Sequence, residues 1–321
     1  MLNSLFTTMD TKWMGFFGIL LAYAATCLLL STCSRFLPKD GGREYAHDGK
    51  LSAGKPRGAG FLFVIVFTVA TVLFVPLSNE VVIYLILVFA SMMTGFLDDC
   101  AKTSWGEWKK GLLDLVVSVV VAFTFVNFNP TTVTFALFGG TVITLHPVLF
   151  GILAMILTLV SINVTNCSDG VDGLSGTLSI ITLASIYVIN LVLGNDSGFN
   201  YMILLFIVCL IGYLWFNATP SRLMMGDAGS RAMGVFIAIA VLKTGSPLLY
   251  LLVALMLILD GGLGLIKVVL LRTVKVHILK HTLTPLHDHV RKNLGWSNAQ
   301  VVFKFGIVQL MICVVVVWLL L

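Results

Sequence analysis

Charged residues are scarce in this chain: they make up 11% of its 321 residues, whereas 58% are hydrophobic. A soluble globular domain carries about one charged residue in four. The composition therefore excludes an ordinary soluble protein and indicates a polytopic membrane protein, for which we expect the lipid bilayer and no nucleic acid as a partner.

Paired cysteines are also lacking. The six cysteines are scattered, and no C-x-x-C or Cys/His ligand spacing occurs among them. Neither a disulfide framework nor a zinc site is supported. The N-terminal residues lack the basic region of a signal peptide, so a cleavable signal is not expected.

Apolar runs long enough to cross a bilayer as helices recur along the whole chain. No linker or low-complexity tract separates them, so we expect one all-α transmembrane domain over residues 1–321. The eighth run is short and the ninth contains Asp260-Gly261-Gly262, which makes these two the weakest predictions. The ten runs are 14–33, 59–77, 81–97, 111–128, 145–164, 173–193, 200–217, 232–245, 247–271 and 300–321.

The basic loops alternate with loops that contain no Lys or Arg. By the positive-inside rule, the basic loops lie in the cytoplasm and both termini lie outside. The basic segments are 34–58, 98–110, 218–231 and 272–299, and the outer loops without Lys or Arg are 78–80, 129–144 and 194–199. The loop 165–172 has no basic residue either, but alternation places it on the cytoplasmic side.

The outer loop 129–144 has its own pattern. Its β-branched residues alternate around Gly139-Gly140. This pattern predicts a small β-hairpin with the glycine pair at the turn.

Aspartates gather where the predicted spans meet the cytoplasm. Acids so close to a bilayer are costly to desolvate, so they are functional candidates by default. They are Asp98, Asp99, Asp169, Asp172, Asp227, Asp260 and Asp288.

Asp98 and Asp99 end the third span. Adjacent carboxylates on a helix point about 100° apart, which suits two different roles. A charge pair in water is the alternative, but carboxylates are unfavourable at a helix C-terminus.

The stretch SINVTNCSDGVDGLSG, residues 161–176, follows the fifth span. Its amides (Asn163, Asn166), acids (Asp169, Asp172) and glycines suit a sugar nucleotide, because glycines let a ligand approach the backbone closely. A calcium loop is the competing interpretation, but the EF-hand pattern and its terminal Glu are missing.

Two further motifs fit phosphate chemistry. Asp227 in MMGDAGS precedes a helix and could hold Mg²⁺ against a phosphate, although it could equally be a helix cap. In TLTPLHDHVRKN, His287 and His289 flank Asp288, close to two cations, which suits a diphosphate. A basic surface loop without a special role is the alternative there.

The motifs GFLDD, NVTNCSDGVDGL, FNATP, MGDAGS and TPLHDH, in this order, resemble those of the polyprenyl-phosphate N-acetylhexosamine-1-phosphate transferases. The resemblance runs from about Gly54 to the last span. It is strongest to the members that use UDP-MurNAc-pentapeptide.

The resemblance implies transfer of phospho-MurNAc-pentapeptide from UDP onto undecaprenyl phosphate, giving lipid I and UMP. It also implies Mg²⁺ dependence, ten helices, a homodimer, and a cytoplasmic-face active site in the bacterial plasma membrane.

Site roles carry over residue by residue from the matching motifs. Asp98 and Asp99 match an acidic pair, with Asp98 as the candidate base, and Asp227 matches the Mg²⁺ ligand. His287 and His289 match a catalytic histidine motif. The residues implied to bind substrate are Lys102, Asn163, Asn166, Asp169, Asp172, Phe216, Asn217 and Asp288.

The chain departs from the family pattern in three places. His287-Asp288-His289 replaces three consecutive histidines. In AGKPRGAGF, Lys55 and Arg57 replace threonines. In the ninth span, Asp260-Gly261-Gly262-Leu263-Gly264 replaces E-x-L-S-V.

Two rival functions stay open from the residues alone. One is a family member that transfers GlcNAc-1-phosphate from UDP-GlcNAc. The other is a secondary transporter, in which Asp260-Gly261-Gly262 would mark a broken helix at an ion site.

Overall fold

Helices form most of the computed structural model, which describes residues 11–42, 52–195 and 197–321. Short 3₁₀ helices lie at Ser34–Phe36 and Pro247–Leu249, and a π-helical turn lies at Ile258–Gly262. The other elements, in chain order, are α1 (Thr11–Cys33), α2 (Gly60–Phe74), α3 (Asn79–Asp99), α4 (Glu107–Phe128), β1 (Thr132–Phe135), β2 (Thr141–Thr144), α5 (Pro147–Cys167), α6 (Leu174–Val192), α7 (Ser197–Asn217), α8 (Gly226–Leu242), α9 (Tyr250–Val253), α10 (Leu255–Leu257), α11 (Leu263–Thr273), α12 (Leu286–Leu294) and α13 (Asn298–Leu320).

Polar residues at the loop ends start several of these helices. The Ser78 hydroxyl accepts a hydrogen bond from Val81 N at the start of α3. Ser297 and Gln300 form a reciprocal capping box at the start of α13. Each cap satisfies backbone N–H groups that have no partner within the helix.

Seven helices of the described residues are long and apolar enough to cross a membrane, and the bent ninth segment brings the number to eight. The multi-pass prediction is therefore confirmed. The second and eighth predicted spans correspond to α2 and α8, of 15 and 17 residues. At 1.5 Å per residue these helices fall short of the ~30 Å core. The number ten and the orientation of the termini stay predictions.

The predicted hairpin segment folds as two short strands. β1 and β2 pair antiparallel, with Thr132 opposite Thr144 and Phe135 opposite Thr141. Gly139 and Gly140 have φ of 70° and 68°, the left-handed region that glycine tolerates. The side of the membrane on which this hairpin lies stays a prediction.

Helix α8 forms the centre of the bundle, and every one of its residues is buried. Aromatic rings fill the space beside its middle. Phe206 stacks on Phe236 at 4.4 Å between centroids, and Phe67 meets Phe206 edge-on at 4.7 Å. Phe63 packs against Phe206 from the same side as Phe67. Packed aromatic side chains therefore fill the middle of the bundle.

The ninth segment is bent by 69° between Pro247–Val253 and Leu255–Thr273. The break leaves backbone groups without helical partners, and the Gln309 side chain of α13 satisfies two of them. Its Oε1 accepts from Met256 N at 2.7 Å and its Nε2 donates to Val253 O at 2.6 Å. Asp260-Gly261-Gly262 belongs to the π-helical turn that follows.

Charged side chains hold the bundle at the hairpin end. Lys243 Nζ at the end of α8 contacts Glu80 Oε2 at 3.2 Å and Asn129 Oδ1 at 2.8 Å. These contacts tie α8 to α3 and to the end of α4.

Gly95 in α3 gives a direct test of the packing around α8. A Cβ at Gly95 would collide with the Asp227 backbone, whereas a Cβ at Gly111 in α4 meets nothing within 4 Å. We expect Gly95→Ala to cost about 1–3 kcal/mol through overpacking. Gly111→Ala should be neutral or stabilising by up to about 1 kcal/mol. Thermal unfolding in detergent measures both, and equal melting temperatures would contradict the close packing.

Candidate functional site

Three chain segments meet at the end of the bundle opposite the hairpin. Backbone hydrogen bonds join Met224 N to Pro56 O, at 2.8 Å, and Gly60 N to Met225 O, at 3.0 Å. A Cβ at Gly60 would collide with the Gly229 backbone, as one at Gly95 would with Asp227. Glycine therefore allows the start of α2, the end of α3 and the start of α8 to touch.

The Asp99 carboxylate caps α8. Its Oδ1 accepts from Asp227 N at 3.2 Å and its Oδ2 from Ala228 N at 3.1 Å. Gly226, just before them, has φ of 70°, and a Cβ there would overlap Asp99 Oδ2. The carboxylate that is unfavourable at the end of its own helix is stabilised by the N-terminus of another.

Asp98 points in a different direction. Its Oδ1 accepts from Trp105 N at 2.6 Å, and its Oδ2 pairs with Lys110 Nζ. The same ammonium group lies 3.1 Å from Asp227 Oδ2. Lys110 therefore bridges the carboxylates of Asp98 and Asp227.

Two arginines complete the charge cluster. Arg231 bonds Asp114 Oδ1 at 2.6 Å, and its Nε lies 3.6 Å from Asp227 Oδ2. Arg57 Nε lies 2.8 Å from Asp99 Oδ1. Burial lowers the pKa of Arg57, but the carboxylates of Asp99, Asp227 and Asp40 outweigh burial and raise it, so the guanidinium stays charged.

A cavity of about 720 Å³ opens beside this cluster. It is polar and large enough for a substantial ligand. Its charged and amide-bearing lining residues are Lys39, Asp40, Arg57, Asp99, Lys102, Lys110, Asn166, Asp169 and Asp227.

The donor set fits a divalent cation. No three His, Cys, Asp or Glu side chains in the described ranges are grouped closely enough to form a metal site by themselves. Mg²⁺, however, is usually held by one or two carboxylates together with substrate phosphates. Among the described residues, the ion pairs of this cluster join five carboxylates to three cations, which leaves a deficit of two positive charges within the cluster itself. Lys39 and Lys102 also line the adjoining cavity.

Comparison with known proteins connects this geometry to a family. The model of glycosyl transferase family 4 matches residues 81–245, just over half of the chain. A phospho-N-acetylmuramoyl-pentapeptide-transferase of Treponema pallidum (strain Nichols) is 42% identical over 299 residues, covering 88% of this chain and 82% of the relative. The chain belongs to the phospho-N-acetylmuramoyl-pentapeptide-transferase family.

More distant transferases of the same name agree. The protein of Helicobacter pylori (strain Shi470) is 28% identical over 279 residues, 80% of this chain and 78% of its own. That of Borrelia hermsii (strain HS1 / DAH) is 26% identical over 311 residues, 88% and 85% of the two chains. This transferase family uses a divalent metal, in keeping with the charge deficit of the cluster.

Several residues that the motifs single out lie together at this cavity. Asp99, Lys102, Asn166, Asp169 and Asp227 all line it. Asn166 Nδ2 donates to Asp227 Oδ1 at 3.3 Å and to Ser230 Oγ at 2.8 Å, which links the end of α5 to the start of α8.

Other candidates bind the protein's own backbone. Asn217 Oδ1 accepts from Gly173 N at 2.8 Å and its Nδ2 donates to Leu223 O at 2.9 Å. Asn163 Nδ2 donates to Leu159 O in its own helix. Phe216 is buried, with the Arg222 guanidinium 5.8 Å from its ring centroid. These three residues lie outside the lining of the cavity.

Asp169 and Asp172 separate because residues 168–173 form turns rather than a helix. Asp169 lines the cavity and accepts from Ser175 Oγ at 2.7 Å. Asp172 lies 3.7 Å from Lys55 Nζ and accepts from Ser221 N at 3.2 Å. The two acids therefore do not share one face, as a helical reading of the stretch would require.

His287 is paired with Asp260, beside the cavity rather than in its lining. Its Nδ1 lies 2.9 Å from Asp260 Oδ2, and its backbone N donates to Asp260 Oδ1 at 2.7 Å. Its Nε2 packs against Gly170, where a Cβ would collide with it. The pair thus supports the turn that carries Asp169.

The other members of the histidine motif make local contacts. His289 Nδ1 accepts from Leu283 N at 3.2 Å. Asp288 accepts from Arg291 Nη2 at 2.6 Å. Both contacts stabilise α12 and the segment just before it.

Sequence reasoning missed the cations that organise the site. The loop-charge pattern attributes Lys110 and Arg57 to membrane topology, and it singles out neither Asp114 nor Arg231 for a role in the site. A signal was available for Asp114, because an acid inside an apolar run usually pairs with a cation.

The Asp260–His287 pair predicts a local loss of order. Asp260→Asn removes the charge of the buried carboxylate that pairs with His287. We expect this change to destabilise the folded protein by about 1–3 kcal/mol. Faster amide exchange should be confined to residues 168–173 and the start of α12, as measured by hydrogen–deuterium exchange with mass spectrometry. His281→Gln, at an exposed histidine upstream of α12, is the control. Unchanged exchange near Gly170 would show that the pair does not support this turn.

Proposed function

We propose that this chain transfers phospho-MurNAc-pentapeptide from UDP-MurNAc-pentapeptide to undecaprenyl phosphate, giving lipid I and UMP. The observation that best supports this proposal is the cation-lined cavity beside Asp98, Asp99 and Asp227. It lies at one end of a transmembrane bundle in a member of this transferase family. A polar cavity at the end of a bundle suits a reaction between a soluble nucleotide sugar and a lipid.

The cations of the cavity are suited to the diphosphate of the UDP-sugar. Arg57, Lys102 and Lys110 all line it. Charge-assisted hydrogen bonds from such groups to phosphate oxygens are among the strongest in proteins. In phosphoryl transfer, positioning and charge stabilisation supply most of the rate acceleration.

The acceptor needs little help to become a nucleophile. A phosphate monoester has a second pKa of about 6, so the lipid phosphate is already largely ionised at neutral pH. We infer direct attack of its oxygen on the β-phosphorus of the UDP-sugar, with UMP as the leaving group. Asp98 would accept any residual proton from the lipid phosphate.

Asp227 would hold Mg²⁺. Its carboxylate already contacts Lys110, so a cation lies where a divalent ion would be attracted. When bound, Mg²⁺ supplies stabilisation of the charge that develops on the leaving UMP.

The setting of the reaction follows the loop charges. The cavity lies at the end formed by the basic loops, so we place it on the cytoplasmic side of a bacterial plasma membrane.

We also propose that the chain works as a single domain and as a homodimer. Protease protection in oriented vesicles and cross-linking in native membranes test these points. Protection of the 98–110 loop from cytoplasmic protease, or monomers alone, would contradict them.

Asp227→Asn tests the role of the carboxylate. Because Asp227 contacts Lys110, Arg57 and Arg231 and is the proposed metal ligand, we expect UMP release to fall by at least about a thousandfold. Glu107→Gln, at an exposed acid that pairs with Arg272 away from the cavity lining, should keep its activity. The assay uses purified protein, both substrates and Mg²⁺. An active Asp227→Asn protein would remove this residue from the mechanism.

Two further arms of the assay separate the alternatives. UDP-GlcNAc in place of UDP-MurNAc-pentapeptide should give no UMP, and turnover would favour the GlcNAc-1-phosphate reaction. UDP-MurNAc-pentapeptide alone, labelled at the β-phosphate, should leave no label on the protein. A labelled aspartate at position 98 would replace direct attack by a two-step route.

A further inference from the structure

Arg57 is distinguished by the number of carboxylates that it joins. Its Nη1 lies 3.5 Å from Asp40 Oδ1, its Nε 2.8 Å from Asp99 Oδ1 and its Nη2 3.5 Å from Asp227 Oδ1. Each nitrogen of the guanidinium therefore faces an acid from a different chain segment.

The backbone around Arg57 fixes this position. Arg57 N donates to Pro38 O at 2.8 Å, and Ala59 N donates to Met224 O at 3.0 Å. The residue is thus held between the segment before it and the start of α8. Its side chain keeps 19% of its surface exposed, at the wall of the cavity.

The three cations around Asp227 differ in what else holds them. Arg231 is bound to Asp114 at 2.6 Å and Lys110 to Asp98. The contact between Arg57 Nη2 and Asp227, at 3.5 Å, is longer than the 2.8 Å between Arg57 Nε and Asp99, and Arg57 lines the cavity. It can exchange Asp227 for an anionic ligand, while Nε stays on Asp99.

We propose that Arg57 couples the binding of the divalent cation to the binding of the nucleotide diphosphate. Without a ligand, the guanidinium neutralises part of Asp227 and disfavours a divalent cation there. A bound diphosphate takes the Nη2 group, which withdraws a positive charge from Asp227 Oδ1 and so favours the cation there, while Asn166 Nδ2 keeps its hydrogen bond to that oxygen. Arg57 acts here as a positioning residue, and the inference rests on the nucleotide-sugar substrate proposed above.

If Arg57 couples the two ligands, its removal should shift the affinities for the cation and for the nucleotide in opposite directions, which a purely structural role would not do. Removing a unit charge close to a divalent ion in a wet site should tighten cation binding by about tenfold. Removing charged hydrogen bonds to the diphosphate should weaken nucleotide binding by about tenfold. Loss of local structure would weaken both together.

The experiment measures binding to the purified full-length chain. Mn²⁺ alone is titrated by electron paramagnetic resonance, and UDP is titrated by calorimetry with and without Mn²⁺. In Arg57→Gln we expect tighter Mn²⁺ binding, weaker UDP binding and a smaller mutual enhancement than in the unaltered protein. Lys55→Gln, two residues away and facing Asp172 rather than Asp227, should leave Mn²⁺ affinity unchanged.

Arg57→Lys provides the second variant. It keeps the charge but not the planar fork, so Mn²⁺ affinity should stay near that of the unaltered protein while UDP affinity falls. Unchanged or weaker Mn²⁺ binding in Arg57→Gln would overturn the coupling. If the unaltered protein binds no UDP and releases no UMP, the proposed function itself fails, which is a separate outcome.

Discussion

The bond between the Asp99 carboxylate and the N-terminus of α8 is the interaction on which the site depends. It joins the end of one helix to the start of another through two backbone N–H groups. A helix N-terminus carries about half a positive charge, which compensates a carboxylate at an otherwise unfavourable position. Because Asp227 is one of the two capped residues, the same contact fixes the backbone position from which its side chain extends.

Glycine residues allow the helices to make this contact, and the charged side chains around it give the site its affinity for ions. The helices approach so closely at Gly60, Gly95 and Gly226 that no larger residue fits without displacement. The approach concentrates carboxylates in a buried place, and lysine and arginine only partly neutralise them. A buried cluster with a deficit of two positive charges attracts a divalent cation, and its arginine and lysine groups attract phosphate.

The sequence predicted the multi-pass character of the chain and singled out the acids, because both are local properties. Apolar length identifies a membrane helix, and an acid at its end is conspicuous. Asp99, Asp169 and Asp227 lie at one cavity, as their positions at the ends of neighbouring spans suggested. The sequence marks the ninth segment as irregular at Asp260-Gly261-Gly262, but the bend lies earlier, between Val253 and Leu255. The Gln309 side chain that satisfies the broken backbone comes from another helix.

The partners of those acids were not predictable in the same way. Lys110 and Asp227 are 117 residues apart, and nothing in either neighbourhood specifies the other. Asn217 and Asn163 look like ligand-binding amides by type and position, yet the structure uses both on backbone carbonyl or amide groups. A polar side chain near a membrane has two possible uses, and only the fold decides between them.

The ring cluster of Phe67, Phe206 and Phe236 has a consequence for the direction of the pathway. It fills the bundle between the reactive end and the hairpin end. A sugar bearing a peptide cannot pass through packed aromatic rings, because its polar groups would lose their hydration without replacement. The packed rings therefore close this route through the bundle to a sugar bound at the cavity.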